Sequence, residues 1–540
     1  MRVVIVGGVA GGMSAATRLR RLNEEAEIVV IEKSGFVSYA NCGLPYYVGG
    51  VIEEEGNLLL QTPESLHARF RLDVRVSSEV ISVDAMSKTL VVRSGSGEYE
   101  LTYDKLILSP GAAPIVPPIP GVERAMTLRT VEDVDRIVKK VAAQPRTAAV
   151  IGGGFIGVEI AENLVHRGIK TSIIEATAQV LAPLDPEMAA PVHLELRKHG
   201  IDLHLSSAAT NIGSADVTLA DGTRVEADIV ILAIGVRPET TLAKNAGIDI
   251  GPRGGINVDQ FNRTSNEDIY AIGDAAEKTD ALDGSATLVP LANIANRHGR
   301  VVADHICGRE IRDVKTIGTA IVKVFDLTVA TTGWNEKRLT AAGVACTSIH
   351  THPNSHAGYY PDAKPMTLKL IFDPKSGEIF GAQGVGIDGV DKRIDVIATA
   401  IRGDITAPEL ADLELAYAPP FGSAKDPVNM LGFIAENVMS GLLTTVQWND
   451  VANLEAAGYT LLDVRSASEF AAGAIPHAVN IPVDELRSRS HELGGKKLAV
   501  YCQVGQRGHT ATLLLQELGF AVVNLDGGYQ LWNSVQQEGK

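Results

Sequence analysis

The chain has 540 residues, 45% of them hydrophobic and 21% charged, with a formal net charge of −16. That length exceeds one hydrophobic core and implies three or four domains. The acidic balance argues against nucleic acid as a partner, because no surplus of cations is available to neutralise phosphates. The opening MRVVIVGG enters a strand directly, and no run of about 18 apolar residues follows, so neither a secretory leader nor a membrane span is expected. Cys42, Cys307, Cys346 and Cys502 are too few and too scattered for a disulfide framework or a metal centre, and no metal site is expected. A reducing cytoplasm is the expected setting.

In chain order, the first element is a strand over Val3–Val6. The turn Gly7, Gly8, Val9, Ala10, Gly11, Gly12 follows, then a helix through Arg21 and a second strand, Ile28–Ile31, ending in Glu32. Such a turn lets backbone approach a pyrophosphate at a helix N-terminus, and the terminal acid suits ribose hydroxyls. The middle glycine position holds Val9, so this copy of the motif is imperfect. On the first helix, Arg18 and Arg21 stand three residues apart and share a face able to clamp a phosphate. Cys42 follows in Ser38-Tyr39-Ala40-Asn41-Cys42-Gly43-Leu44-Pro45-Tyr46.

A strand over Lys105–Leu108 leads into Ser109-Pro110-Gly111. The second glycine motif is complete: strand Ala148–Ile151, Gly152-Gly153-Gly154-Phe155-Ile156-Gly157, a helix to about His166, and strand Lys170–Ile174 ending in Glu175. No cation follows Glu175 closely, which favours NADH over NADPH. Ile229–Ile234 runs into Gly235-Val236-Arg237-Pro238, and TSNEDIYAIGDA ends in Gly273-Asp274. His298 lies on a helix in ANRHGR. Near residues 440–446 the pattern resets and a further α/β segment begins. Its strand over Leu498–Tyr501 meets the loop Cys502-Gln503-Val504-Gly505-Gln506-Arg507, which opens a helix and can turn N–H groups towards an anion.

To about residue 440 these motifs resemble the pyridine nucleotide-disulfide oxidoreductases. The resemblance implies an α/β fold with two nested Rossmann-like nucleotide-binding domains. The FAD-binding domain would span 1–115 and 246–322, the NAD(H)-binding domain 116–245, and an α+β dimerisation domain 323–440. It implies FAD held by Gly7, Gly8, Val9, Ala10, Gly11, Gly12, Glu32, Lys33, Asn41, Cys42, Val80, Ser109, Gly111, Arg129, Gly273, Asp274, Ala292, Tyr417 and Phe421. The nicotinamide nucleotide would be held by Gly152, Gly154, Phe155, Ile156, Gly157, Glu159, Glu175 and Gly235.

Glutathione-type members carry a second cysteine shortly after the first, whereas here the next is Cys307. A lone thiol must form a mixed disulfide, a persulfide or a sulfenic acid. Its substrate is therefore a small disulfide, a sulfane-sulfur carrier, or peroxide and oxygen. The S-x-x-N-C-G-L-P-Y run is similar to coenzyme A-disulfide reductases and their NADH oxidase and peroxidase relatives. That similarity implies coenzyme A bound by Ser14, Arg18, Arg21, Ser38, Asn41, Cys42, Gln61, Arg71, His298, Tyr359 and Lys425. It also implies a Cys42 thiol of low pKa beside the flavin. Ser355–Pro361 and Ala416–Pro420 resemble the dimerisation domain, in which two tyrosines from the partner subunit face the redox cysteine. Tyr417 matches one, and Tyr359, with Tyr360 adjacent, the other, so a homodimer with shared active sites is implied.

Residues 446–540 resemble a rhodanese domain, an α/β fold. The Cys-x4-Arg spacing of Cys502 and Arg507 is shorter than in the phosphatase cradle, which favours sulfur over phosphate. The expected activity is NAD(P)H-dependent reduction of coenzyme A persulfide, polysulfide or coenzyme A disulfide. An NADH oxidase or peroxidase cycling Cys42 through sulfenic acid is the alternative within enzymes, and a redox-sensing flavoprotein the alternative outside them. Cys307 and Cys346 are expected to be packing residues.

Overall fold

The computed structural model describes residues 1–538. The chain forms two compact units: Met1–Ala178 with Gly200–Ile317, and Gln179–His199 with the chain from Gly318 onward. In the first unit, two five-stranded parallel sheets repeat one arrangement. Arg2–Val6 lies between Glu27–Ile31 and Lys105–Leu108, with Asp73–Arg75 and Ile269–Ala271 at the edges. Thr147–Ile151 lies between Lys170–Ile174 and Ile229–Leu232, with Asp202–His204 and Met126–Thr127 outermost. Central parallel strands are covered on both faces and tolerate only apolar runs; Val3, Val4, Ile5, Ala148, Ala149 and Val150 are wholly buried.

The segments after Gly111 and Gly235 pair with each other as antiparallel strands Ala112–Pro114 and Val236–Pro238. Helix Ala10–Leu22 packs so closely on helix Ala292–Ile306 that a Cβ at Gly299 would stand 2.4 Å from the carbonyl oxygen of Gly11.

The second unit holds an antiparallel sheet in the spatial order Ala320–Val324, Leu327–Gly333, Ile379–Gly386, Met366–Phe372, Thr347–Thr351. Helices Val390–Arg402 and Pro427–Met439 share its apolar core. A parallel sheet follows, ordered Thr445–Val446, Val522–Leu525, Lys497–Tyr501, Tyr459–Asp463, Val479–Asn480. The helix carrying Glu469 and Phe470 begins at Ala467, because Ser466 and Glu469 cap each other's backbone N–H groups. Helix Pro186–Lys198 falls within the span expected for the NAD(H) domain, yet it belongs to the second unit and packs on helix Gly528–Glu538.

Four charges from different segments meet in the core of this unit. Lys369, in the strand MTLKLIF, is fully buried. Its Nζ lies 2.9 Å from Asp185 and 2.6 Å from Glu336, and it also pairs with Glu187. Removing one partner of a buried ion pair leaves an uncompensated charge and costs about 3–5 kcal/mol. Lys369→Met would strand Asp185 and Glu187, so the unfolding free energy obtained from urea titration is expected to fall by about 3–5 kcal/mol, with a lower midpoint.

Candidate active sites

Both glycine motifs are built alike from the backbone upward. Gly7 and Gly152 adopt φ of +103° and +109°, a region that favours glycine. A Cβ at Gly12 would sit 1.8 Å from the Gly7 carbonyl oxygen, and one at Gly157 1.9 Å from that of Gly152. The following helices, Ala10–Leu22 and Phe155–His166, have no side-chain cap, so their first N–H groups remain available to an anion. Glu32 accepts N–H bonds from Gly8 (2.6 Å) and Ser34 (2.8 Å). Glu175 accepts from Gly153 (2.7 Å) and Thr177 (2.8 Å). Each oxygen of Glu32 keeps a lone pair for a ribose hydroxyl, whereas in Glu175 the oxygen facing Thr177 also accepts the Thr177 hydroxyl (2.8 Å), which leaves the other oxygen for a ribose. Burial raises the pKa of Glu32 against its N–H bonds, so further hydrogen-bond donors would be stabilising there. Val9 occupies the N-cap position where the second motif has Gly154. Gly154 has nothing within 4 Å of where a Cβ would lie, an open cradle at the helix start. These features fit FAD on the first motif and a nicotinamide nucleotide on the second.

The turn carrying Gly273 and Asp274 is anchored by a residue that motif reading missed. Lys278 is buried and donates to the carbonyls of Gly273 (2.7 Å) and Ala276 (2.9 Å). Burial lowers its pKa to about 8, against the attraction of Asp274. Ser109 donates its N–H to Val6 (2.8 Å), Gly111 takes a φ of +75°, and Arg129 reaches the Pro110 carbonyl at 2.7 Å. Val80 is a core residue, Lys33 pairs with Glu79 on the surface, Ala292 opens its helix, and Gly235 adopts a φ of +108°.

Cys42 lies in the short 3-10 turn Asn41–Gly43, directly before helix Leu44–Gly49. It is open to solvent on one side. The chain's own groups raise its thiol pKa: desolvation first, then the carboxylates of Glu159 and Asp274. The low pKa expected from the resemblance therefore has no source in these neighbours. Glu159 is the larger of the two charge effects; its carboxylate accepts from the Tyr46 hydroxyl at 3.3 Å. Burial raises its pKa to about 7, assisted by Glu162 and opposed by the Tyr46 hydrogen bond.

Of the residues expected to bind coenzyme A, those in the first unit occupy several environments. Arg18 does not pair its charge with that of Arg21. Its guanidinium contacts Asp304 at 2.7 and 2.8 Å, whereas Arg21 lies over the Phe70 ring. Ser14 donates to Asn296, Gln61 accepts from Ser65, and Arg71 pairs with Glu24. Ser38 adopts a φ of +51° and bonds through its N–H to the Gly8 carbonyl. His298 is buried against Asn262, and desolvation followed by the charges of Lys278 and Arg297 lowers its pKa to about 3.

In the second unit, Tyr359 and Tyr417 are exposed and bonded hydroxyl to hydroxyl at 2.9 Å. Tyr360, Phe421 and Lys425 are also exposed. Buried Arg393 supports this aromatic surface by bridging the Ser355 carbonyl (2.9 Å) and Asp426 (3.1 Å). The Ala357 N–H donates across to the Gly422 carbonyl. Arg393 escaped motif reading, although a lone arginine on an apolar helix face is a signal of buried pairing.

Cys502 is buried at the end of strand Lys497–Tyr501, and its Sγ accepts the Gly505 N–H at 3.1 Å. Gly505 has a φ of +110°, which turns the chain into the uncapped helix Gln506–Glu517. Arg507 adds less free charge than its spacing suggested, because both guanidinium N–H groups meet Glu469 at 2.7 Å. That fork lowers the pKa of Glu469 to about 2. The fully buried Arg465 joins Asp463, the Gly473 carbonyl and Gln503, and its guanidinium lies 4.0 Å above the Tyr529 ring.

Glu159→Gln removes one carboxylate that disfavours the Cys42 thiolate. The pH midpoint of Cys42 alkylation by iodoacetamide, followed on its peptide by mass spectrometry, is expected to move down relative to wild type.

Comparison with known proteins agrees with this geometry. The family model described as pyridine nucleotide-disulphide oxidoreductase matches residues 1–299, its dimerisation domain matches 319–427, and the rhodanese-like domain matches 450–535. The crystal structure of reduced Bacillus anthracis CoADR-RHD is 50% identical, with a TM-score of 0.98 over 99% of this chain and 98% of that one. A NAD-dependent persulfide reductase from A. fulgidus is 37% identical, with a TM-score of 0.94 over 98% of this chain and all of its own. A coenzyme A disulfide reductase of Staphylococcus aureus is 35% identical over 441 residues, 81% of this chain and 100% of its own length. The chain belongs to the pyridine nucleotide-disulphide oxidoreductases and carries a rhodanese-like domain.

Proposed function

We propose that this chain is an NAD(P)H-dependent flavoprotein reductase of coenzyme A persulfide, polysulfide or coenzyme A disulfide, acting through Cys42. The observation that carries this reading is a lone thiol at the redox position in a chain that also holds an intact Cys502 loop. When bound, FAD supplies two-electron transfer between nicotinamide and sulfur. The chain's residues supply the rest. Cys42 as thiolate attacks one sulfur of the S–S bond, forms a new S–S bond and releases the other sulfur as an anion. We assign that anion's proton to the partner subunit's Tyr359 and the partner subunit's Tyr417, in a homodimer with shared sites; their exposure and mutual hydrogen bond support this.

Arg21, whose guanidinium lies over the Phe70 ring, suits a coenzyme A phosphate better than Arg18, which Asp304 already neutralises. Glu175, with Ala176, Thr177 and Ala178 after it, favours NADH. Cys502 handles sulfane sulfur as a persulfide. Oxygen or peroxide as substrate would leave the rhodanese-like domain without a task, which weighs against the oxidase reading. Four free cysteines suit a reducing cytoplasm, and among the described residues no helix is long and apolar enough to cross a membrane.

Steady-state NADH oxidation with coenzyme A disulfide, polysulfide and peroxide tests the assignment. Cys42→Ser is expected to lose at least about 10⁴-fold in turnover with both sulfur substrates. Cys502→Ser should retain disulfide reduction within about twofold, since Cys502 does not contact that sulfur in this scheme. Turnover with peroxide alone would overturn the reading.

A further inference from the structure

One turn of the rhodanese-like domain is gripped from both sides. Asp526, Gly527 and Gly528 follow strand Val522–Leu525. On one side lies Thr347–Thr351, the edge strand of the antiparallel sheet. There the His350 N–H donates to Asp526 Oδ1 (3.1 Å), its Nδ1 lies 2.6 Å from Oδ2, and its Nε2 lies 3.3 Å from Glu187. With a carboxylate at each ring nitrogen, both nitrogens donate and the imidazole is held as a cation. His352 Nε2 lies 3.0 Å from the Gly527 carbonyl and must donate to it, so Nδ1 accepts from the Thr367 hydroxyl (2.9 Å).

On the other side lies the sulfur loop. The Tyr529 N–H donates to the Cys502 carbonyl (2.8 Å), and the Gln530 N–H to the Gln503 carbonyl (3.0 Å). A Cβ at Gly528 would stand 2.5 Å from the Cys502 carbonyl oxygen, so the turn and the loop are in direct contact. The dimerisation sheet thus reaches the backbone of Cys502 through a single five-residue segment, 526–530.

We propose that His350 and His352 are positioning residues for the Cys502 loop, setting through Asp526–Gln530 the placement of the sulfur that Cys502 carries. This inference rests on the persulfide role given to Cys502 above. The charge on His350 faces Asp526 and Glu187, with Lys369 and its partners Asp185 and Glu336 beyond, His352 just past the end of its strand, and Gln447 on Asp526. Burial opposes that charge, but Asp526 and the hydrogen bonds to Asp526 and Glu187 outweigh burial and the repulsion of Lys369, and the pKa is raised to about 9. A raised pKa means that the positioning is complete below the ordinary histidine range and is lost as pH rises through about 9.

The test is thiosulfate:cyanide sulfurtransfer by the full-length holoenzyme across that range. In this reaction the Cys502 thiolate takes the outer sulfur and releases sulfite, and cyanide then removes that sulfur as thiocyanate. Wild-type kcat/KM should fall as pH rises through about 9. His350→Gln should lower kcat/KM near neutral pH by about ten- to a hundredfold and abolish that alkaline fall, while NADH-dependent reduction of coenzyme A disulfide persists. His352→Gln, which keeps an N–H donor, should stay within about twofold of wild type, whereas His352→Leu should lose about tenfold. Unchanged kcat/KM and pH profile in His350→Gln, or equal activity in His352→Gln and His352→Leu, overturns the positioning role. A wild-type chain that forms no persulfide on Cys502 with thiosulfate, read as a mass gain of one sulfur atom, overturns the reading of Cys502 itself.

Discussion

Glu32 and Glu175 each reach back from the end of one parallel strand to accept an N–H from the glycine turn on the neighbouring strand. That bond holds the turn open, leaves the helix start behind it uncapped, and presents a carboxylate at the same place. Everything else in the first unit is arranged around this repeated contact. The central strands must be apolar to be buried on both faces, and the glycines must lack Cβ atoms where helix and turn touch. One physical solution, used twice, gives two uncapped helix starts in one compact unit.

Between these two sites, the electrostatics around Cys42 run against the thiolate. Desolvation, Glu159 and Asp274 all favour the protonated sulfur. Glu159, with its pKa near neutrality, gives that environment a pH dependence of its own.

Features set by short stretches of chain were legible in the sequence. The glycine turns, their terminal acids, Cys42 and the Cys502 loop each depend on neighbours within a few tens of residues, and the strands and helices that carry them lie where the patterns predicted. Features set by distant partners were not. Arg18 and Arg21 share a helical face, but Asp304 takes one and Phe70 the other. Arg507 has the spacing of a free anion ligand, yet Glu469 occupies it. Lys369 is the lone charge in the strand MTLKLIF and its partner Glu187 lies 182 residues away, while His350 sits in the polar strand TSIHT with its partner Asp526 176 residues away. An isolated charge in an apolar strand announces that a partner exists, not which one.

Among the described residues the edge strand Thr347–Thr351 meets no further strand on its outer side, and two of its outward backbone groups find partners elsewhere. The Ser348 carbonyl accepts from Gln447, and the His350 N–H donates to Asp526. Both caps come from chain made well after the sheet they protect. On a ribosome, the dimerisation sheet would therefore emerge with a bare, pairing-competent edge, and would keep it until the last strand of the rhodanese-like domain had been synthesised.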